Sequence, residues 1–190
     1  NLCMTPLALY PQIGKRFAPE KKMVRDPVTG TMLTFLTSKL AGDSKIYQTH
    51  PQWTSDGEWV IFRSNRVRGE AMAVNEKTGD IVQVTEGGYT GMLCVARKSM
   101  KLYCMRSASG DTSQRRSAAL QVIEVILDKL LADSKAGAIK PASQYQRICG
   151  TIPAELNAGG DMALDANEEF VYFRVGRTEA AKHLQPNTKV

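Results

Sequence analysis

One short hairpin recurs along this chain, and that recurrence limits the fold more than any other feature. In Gln52-Trp53-Thr54-Ser55-Asp56-Gly57-Glu58-Trp59-Val60-Ile61-Phe62-Arg63, a strand runs into a Ser-Asp-Gly turn and an apolar strand follows. Asp-Gly between apolar runs is a strong hairpin signal, because glycine supplies the backbone conformation a tight turn needs. The same shape returns over residues 94–106 and 164–174, and each second strand ends in arginine: Arg63, Arg106 and Arg174. The first two arginines are 43 residues apart and the next two 68. A spacing of roughly 40–45 residues is the period of four-stranded propeller blades. The longer second interval calls for an insertion. Ile126–Lys135 reads as a short amphipathic helix stopped near Gly137 and Pro141, placing that insertion at about 126–141, between the third and fourth strands of its unit.

A second repeat marks the outer strands. Asp26-Pro27-Val28-Thr29-Gly30 precedes Met32–Thr37, and Asn75-Glu76-Lys77-Thr78-Gly79 precedes Ile81–Thr85. With strands named A to D from the inside outward, the chain reads C-D, A-B-C-D, A-B-C-D, A-B. The expected fold class is therefore all-β, a β-propeller of four-stranded antiparallel blades with about three blades' worth present. The competing all-β meander is a sandwich; repeats near this period favour a radial array. Propellers close with about four to eight blades. Residues 1–190 are therefore expected to form a single partial propeller, a truncated piece of a larger ring. Gly87-Gly88 and Gly159-Gly160 fall where D-to-A turns should lie, and Arg177–Pro186 reads as a helical tail.

Composition narrows function less. The chain has 25 Lys and Arg against 19 Asp and Glu, a formal net charge of +6. That excess suits an anionic partner. The basic residues are scattered, with no Lys/Arg block and no aromatic RNA-binding motif, so no nucleic-acid partner is expected. No apolar run reaches 18 residues, so no membrane span is expected, and no signal peptide is visible in Asn1–Pro11. The four cysteines (Cys3, Cys94, Cys104 and Cys149) are widely spaced without C-x-x-C. Cys94 and Cys104 lie in apolar strand-like runs and are expected to be buried free thiols. The chain has no G-x-S-x-G, H-E-x-x-H, P-loop or G-x-G-x-x-G pattern.

His50-Pro51-Gln52-Trp53-Thr54-Ser55-Asp56-Gly57, followed by Val60–Arg66, looks like the TolB-type propeller repeat. The fuller stretch Lys45-Ile46-Tyr47-Gln48-Thr49-His50-Pro51-Gln52-Trp53 with Ser64-Asn65-Arg66, together with Ile13-Gly14-Lys15-Arg16-Phe17, resembles the N-terminal part of bacterial oligogalacturonate lyases. The resemblance spans about residues 13–190. It implies a seven-bladed propeller that cleaves short pectin fragments by β-elimination with a divalent metal, usually manganese, in a periplasmic or cytoplasmic bacterial setting. The family holds its metal with several His and a Gln from later blades. This chain has only His50 and His183, so the resemblance implies metal ligands outside it, and no metal ligand is expected within it. The alternative is a non-catalytic TolB-like propeller that binds protein or sugar.

In a meander the A-strand start and the B-to-C connection share one edge of the sheet. Gln48 and His50 open one A strand, Arg63 ends the next B strand, and Arg66 lies in the loop beyond. Arg106 and Arg174 hold matching places. These six residues are the candidate substrate-binding set, expected around one funnel. Arginine suits an oligogalacturonate because each sugar carries a carboxylate and the guanidinium pairs with carboxylates through two parallel hydrogen bonds. The alternative for each arginine is a local pair or a strand-end cap. Elimination needs neutralisation of the carboxylate beside the C–H, a base for the C5 proton, and departure of the C4 oxygen. His50 is the candidate base; its alternative is a hydrogen bond to backbone at the strand start. The chain alone is expected to be inactive.

Overall fold

A computed structural model describes residues 12–109 and 119–183. It is built from antiparallel strands with two short helices. The first full sheet contains β1 (Arg16–Phe17), β4 (Ser44–Lys45), β5 (Trp59–Arg63), β6 (Ala71–Asn75) and β7 (Ile81–Gln83), in the order β1-β7-β6-β5-β4. The second contains β8 (Thr90–Val95), β9 (Lys101–Ser107), β10 (Leu120–Ile126) and β11 (Gln146–Ile152), in consecutive antiparallel order. Two hairpins stand apart: β2 (Lys22–Arg25) with β3 (Met32–Phe35), and β12 (Met162–Leu164) with β13 (Val171–Phe173). Every sheet is open. Helix α1 (Leu127–Ala136) connects β10 to β11, and α2 (Arg177–His183) follows β13. The apolar start before Gln12 and the tail from Leu184 to Pro186 lie outside the described residues.

The three recurring segments are all hairpins. Trp53 bridges Val60 across the Ser55-Asp56-Gly57 turn, with the Ile61 amide donating to the Gln52 carbonyl at 2.8 Å. Leu93, Cys94 and Val95 face Cys104, Tyr103 and Leu102, and Met162 faces Phe173. The two Thr-Gly turns also match. Asp26 Oδ1 accepts from the amides of Val28 and Thr29, and Asn75 Oδ1 accepts from those of Lys77 and Thr78. A two-residue strand, β1, adds a fifth member to the first sheet by pairing Arg16 with Val82 and Phe17 with Ile81. Arg16 also reaches Asp80 at 2.8 Å.

Period-2 alternation sends side chains to opposite faces of each sheet, and the inner strands of the full sheets are covered on both faces, whereas β11 is mostly exposed. Ile61, Ala71 and Ala73 of the first sheet meet Leu93, Leu102, Cys104, Ile123 and Val125 of the second. Leu127, Leu130 and Leu131 of α1 plug one end of this layer, together with the fully buried Tyr145. The opposite face of the second sheet packs Tyr103, Met105 and Val122 against Met162 of the last hairpin. The outer face of the first sheet packs Phe62, Met72 and Val74 against Phe17 and Leu36. Helix α1 stops where Gly137 adopts φ 68°, its amide and that of Ala138 returning to the last turn. The Ser134 hydroxyl donates to the Gly14 carbonyl at 2.7 Å, tying the helix to the segment before β1. Cys94 and Cys104 are buried free thiols, both pushed up to about 12 by burial.

Two buried carboxylates are fully engaged. Glu124 in β10 accepts from Arg147 at 2.6 Å, from the Tyr103 hydroxyl at 2.7 Å and from Lys101 at 3.1 Å. The Arg147 hydrogen bond does most to hold its pKa near about 2. Glu20 lies in the segment leading to β2. Burial raises its pKa, but the Arg66 guanidinium and the amides of Ser38 and Lys39 more than reverse that, to about 2.

Candidate functional site

The starts of three successive A segments come together at one edge of the molecule. Glycine makes this contact possible. A Cβ on Gly91 would lie 2.1 Å from the Gly160 carbonyl oxygen, and one on Gly160 would lie 2.6 Å from Gly91 Cα. No larger residue fits at either position without moving backbone. Gly91 also has φ 72°, a conformation that side chains disfavour. The Met92 amide donates to the Gly160 carbonyl at 2.8 Å, locking β8 against the approach to β12.

Beside this contact lies an open cleft of about 400 Å³, whose lining includes Lys45, Tyr47, Gln48, Arg63, Gly91 and Asp161. The β4–β5 register sets Ser44 opposite Arg63 and Lys45 opposite Phe62, so the Arg63 and Lys45 side chains leave the sheet on opposite faces. Arg63 Nη2 donates to the Gly91 carbonyl at 3.0 Å, and its buried Nε has no protein acceptor. Lys45, Tyr47 and Gln48 are exposed. Asp161, the cleft's carboxylate, pairs with Arg174 at 2.9 Å. The cleft thus offers the Arg63 guanidinium, with Lys45, Tyr47 and Gln48 along its lining, groups that can donate to an anion.

The other expected site residues are placed differently. Arg106 lines a separate cleft with Glu86, Gly87 and Gln146, its Nε donating to Gln121 at 3.2 Å. Arg174 lines a third, with Asn157, Gly159 and Arg177. The three strand-ending arginines thus line three separate clefts, Arg63 donating to Gly91, Arg106 to Gln121 and Arg174 pairing with Asp161. Arg106 and Arg174 repeat each other closely, since a Cβ on Gly87 or on Gly159 would lie 2.9 Å from the respective guanidinium nitrogen.

Arg66 also departs from its expected role. Its side chain is 6% exposed and pairs with Glu20 at 2.6 Å and with Asp43. Both terminal nitrogens are occupied within the protein, so the guanidinium clamps three segments instead of facing solvent. His50 takes the structural alternative as well. Its Nε2 lies 2.9 Å from the Met162 carbonyl, which accepts only from a protonated nitrogen, and its Nδ1 lies 3.4 Å from the Thr49 hydroxyl. The imidazole links the first A segment to the third and has no free nitrogen aimed into the cleft. His183 closes α2, far along the chain from these groups. Among the described residues no group of three or more His, Cys, Asp or Glu could hold a metal ion.

Sequence reasoning missed Lys45 and Asp161. Lys45 stood within the motif that carried the resemblance, but nothing in its neighbours showed that it lines the cleft.

No protein-family model matches the chain, and no curated protein matches it. Solved structures do. An oligogalacturonate lyase in complex with manganese superposes with a TM-score of 0.61 at 17% identity, covering 82% of this chain and 36% of that one. An oligogalacturonate lyase from Vibrio parahaemolyticus gives 0.61 at 15% identity, covering 82% of this chain and 35% of its own. The chain has the fold of part of these enzymes and spans little more than a third of their length.

Proposed function

We propose that this chain is the oligosaccharide-holding part of an oligogalacturonate lyase-like protein, and that its cleft beside Gly91 and Gly160 binds a galacturonate carboxylate. One observation carries the reading: a fold shared with two oligogalacturonate lyases presents Lys45 and Arg63 in one open cleft. In this reading the two full sheets are successive blades of a propeller, and the two hairpins are half-blades at either side. The Arg63 guanidinium, which lines the cleft, supplies charge-assisted hydrogen bonds to the sugar acid, with Lys45 at the cleft's lining adding positive charge. Gln48 and Tyr47 supply polar contacts to hydroxyls. Anchoring the remaining carboxylate of a short oligomer fixes which glycosidic bond reaches the reacting centre, so positioning is this chain's contribution to catalysis.

The described residues do not make a metal site, and no step through manganese is drawn from them. His50 is held against the Met162 carbonyl, so this reading does not assign it the proton abstraction. The chain alone is expected to release no unsaturated product from digalacturonate or trigalacturonate, with or without manganese. Ultraviolet absorbance of the unsaturated sugar reads this directly; formation at a rate matching a complete lyase would overturn it.

Arg63→Ala tests the cleft. Loss of a charge-assisted hydrogen bond costs roughly 1.5–3 kcal/mol, or about ten- to a hundred-fold in affinity for trigalacturonate. Calorimetric titration beside a thermal melt separates the outcomes. An unchanged dissociation constant with a lowered melting temperature would make Arg63 a structural residue.

A further inference from the structure

Arg106 borders a second cleft, of about 440 Å³, between the linker that follows β7 and the outer strands of the second sheet. Strand pairing settles which side chains share its floor. Arg106 faces Gln121 and Cys104 faces Ile123 across β9–β10, and Ile123 faces Ile148 across β10–β11. Paired residues stand on the same face of a sheet, and so do residues two apart. Arg106, Ile123 and Ile148 therefore share one face, the one that Cys104 and Ile123 turn toward the first sheet. The walls come from the two full sheets and the segment joining β10 to β11, not from either hairpin.

The insertion in the second sheet supplies one wall. Helix α1 buries its leucines in the core, and a single 3-10 turn after it, Ala142–Gln144, sets Ala142 and Ser143 at the cleft. Gln146 then locks the opposite wall, its Nε2 donating to the Glu86 carbonyl at 3.0 Å and its Oε1 accepting from the Glu86 amide at 2.9 Å. Gly87 makes room for the guanidinium, since a Cβ there would lie 2.9 Å from Arg106 Nη1. The cleft is thus pre-formed, which lowers the cost of ordering a ligand. Arg106 itself is held by neutral acceptors, Gln121 at 3.2 Å and the Glu86 carbonyl at 3.5 Å. Among the described residues no carboxylate pairs with it, whereas Arg66, Arg147 and Arg174 each have one. Arg147 also borders the cleft but gives its guanidinium to Glu124, and the Glu86 carboxylate accepts from the Ile13 amide at 2.8 Å.

We propose that this cleft is a second binding site, for a small carboxylate with an apolar flank, its acid on Arg106 and its flank on Ile123 and Ile148. A guanidinium with no anionic partner takes a carboxylate through charge-assisted hydrogen bonds. Ile148, 51% exposed, and the buried Ile123 beside it form an apolar floor of the kind that holds the hydrocarbon part of a ligand. The site is separate from the cleft beside Gly91 and Gly160 and does not rest on the sugar-binding reading of that cleft.

The experiment titrates the whole chain with galacturonate and, separately, with hexanoate, following backbone amides by NMR. The amides of Gly87, Ser143 and Ile148 are expected to shift together; binding of either acid supports the site, and the tighter of the two names its source. Galactose, which lacks the carboxylate, is expected to bind there at least about ten-fold more weakly. Arg106→Gln removes the charge, and Ile148→Glu sets a carboxylate at an exposed position of the floor. Each is expected to weaken binding of the acid by at least about ten-fold, with a thermal melt checking that each folds. Unmoved amides in the unmodified chain, equal affinity for galactose, or binding by both variants within about two-fold of the unmodified chain would overturn the site. The Gly91 amide reads the first cleft separately, so a shift there without one at Ser143 supports that cleft and overturns this one.

Discussion

The same repeating unit exists here in two conditions. In the full sheets β6 is buried at all five positions, and β9 and β10 are buried over most of their length. In the half-sheet β2–β3 all eight residues are exposed, although Met23, Val24, Met32, Leu33 and Phe35 are as apolar as their counterparts. Strand propensity alone thus does not bury a strand. Burial comes when a sheet has neighbours on both faces, as the first full sheet has the second sheet on one side and Leu36 on the other. A half-sheet keeps its hydrogen-bonded turn but contributes little to the core.

The sharpest way to break this contrast is at the clamp joining a half-sheet to a full one. Arg66→Ala is expected to cost about 3–5 kcal/mol, because it leaves two carboxylates, Glu20 and Asp43, buried without their cation. Denaturant melts read it, and a cost within about 0.5 kcal/mol, the range of ordinary surface changes, would show that the clamp is dispensable.

Next comes the core itself. Leu102→Ala, at a side chain with no exposure, is expected to cost about 2–5 kcal/mol. Met23→Ala in the half-sheet is expected to stay within about 0.5 kcal/mol. Equal losses at the two positions would mean that β2–β3 is buried in solution.

A smaller effect follows from acid. Glu20 and Glu124 have folded pKa values near about 2, below their ordinary value of 4.5. Each therefore contributes stability that is fully present above pH 4.5 and is lost as pH falls toward 2. Glu70 runs the other way. Burial raises its pKa against hydrogen bonds from Thr85 and Gly88, so its contribution is present at low pH and lost as pH rises through the raised value. Chemical denaturation across pH 2–7 is expected to show a net acid loss, diminished in a Glu124→Gln variant.

Local signals in the sequence located the hairpins. Asp56-Gly57 and the Thr-Gly turns announce reversals within a few residues, and the expected hairpins are observed, although β1 and β4 were not expected and the strand before Asp56 is a single bridge at Trp53. The helix α1 stood between Ile126 and Gly137 for the same reason: its period and its stop are local. Long-range partners were not legible. Arg66 meets a carboxylate 46 residues away, and His50 a carbonyl 112 residues away. Both residues have types that fit substrate chemistry, yet tertiary packing uses them for structure. The short β1 carries too few residues to show a period and is defined by its pairing with β7. The two-residue β4 likewise shows no period in the sequence and is defined by its pairing with β5.

Carboxylate recognition is the claim on which the functional account stands, and one paired titration addresses it. The chain is titrated calorimetrically with trigalacturonate and, separately, with its fully methyl-esterified form, which keeps the size and hydroxyls but removes the charge. Lys45 and Arg63 in the cleft lead to binding of the acid and at least ten-fold weaker binding of the ester. Equal affinity for the two, or no heat from either, would contradict a carboxylate-binding cleft in this chain.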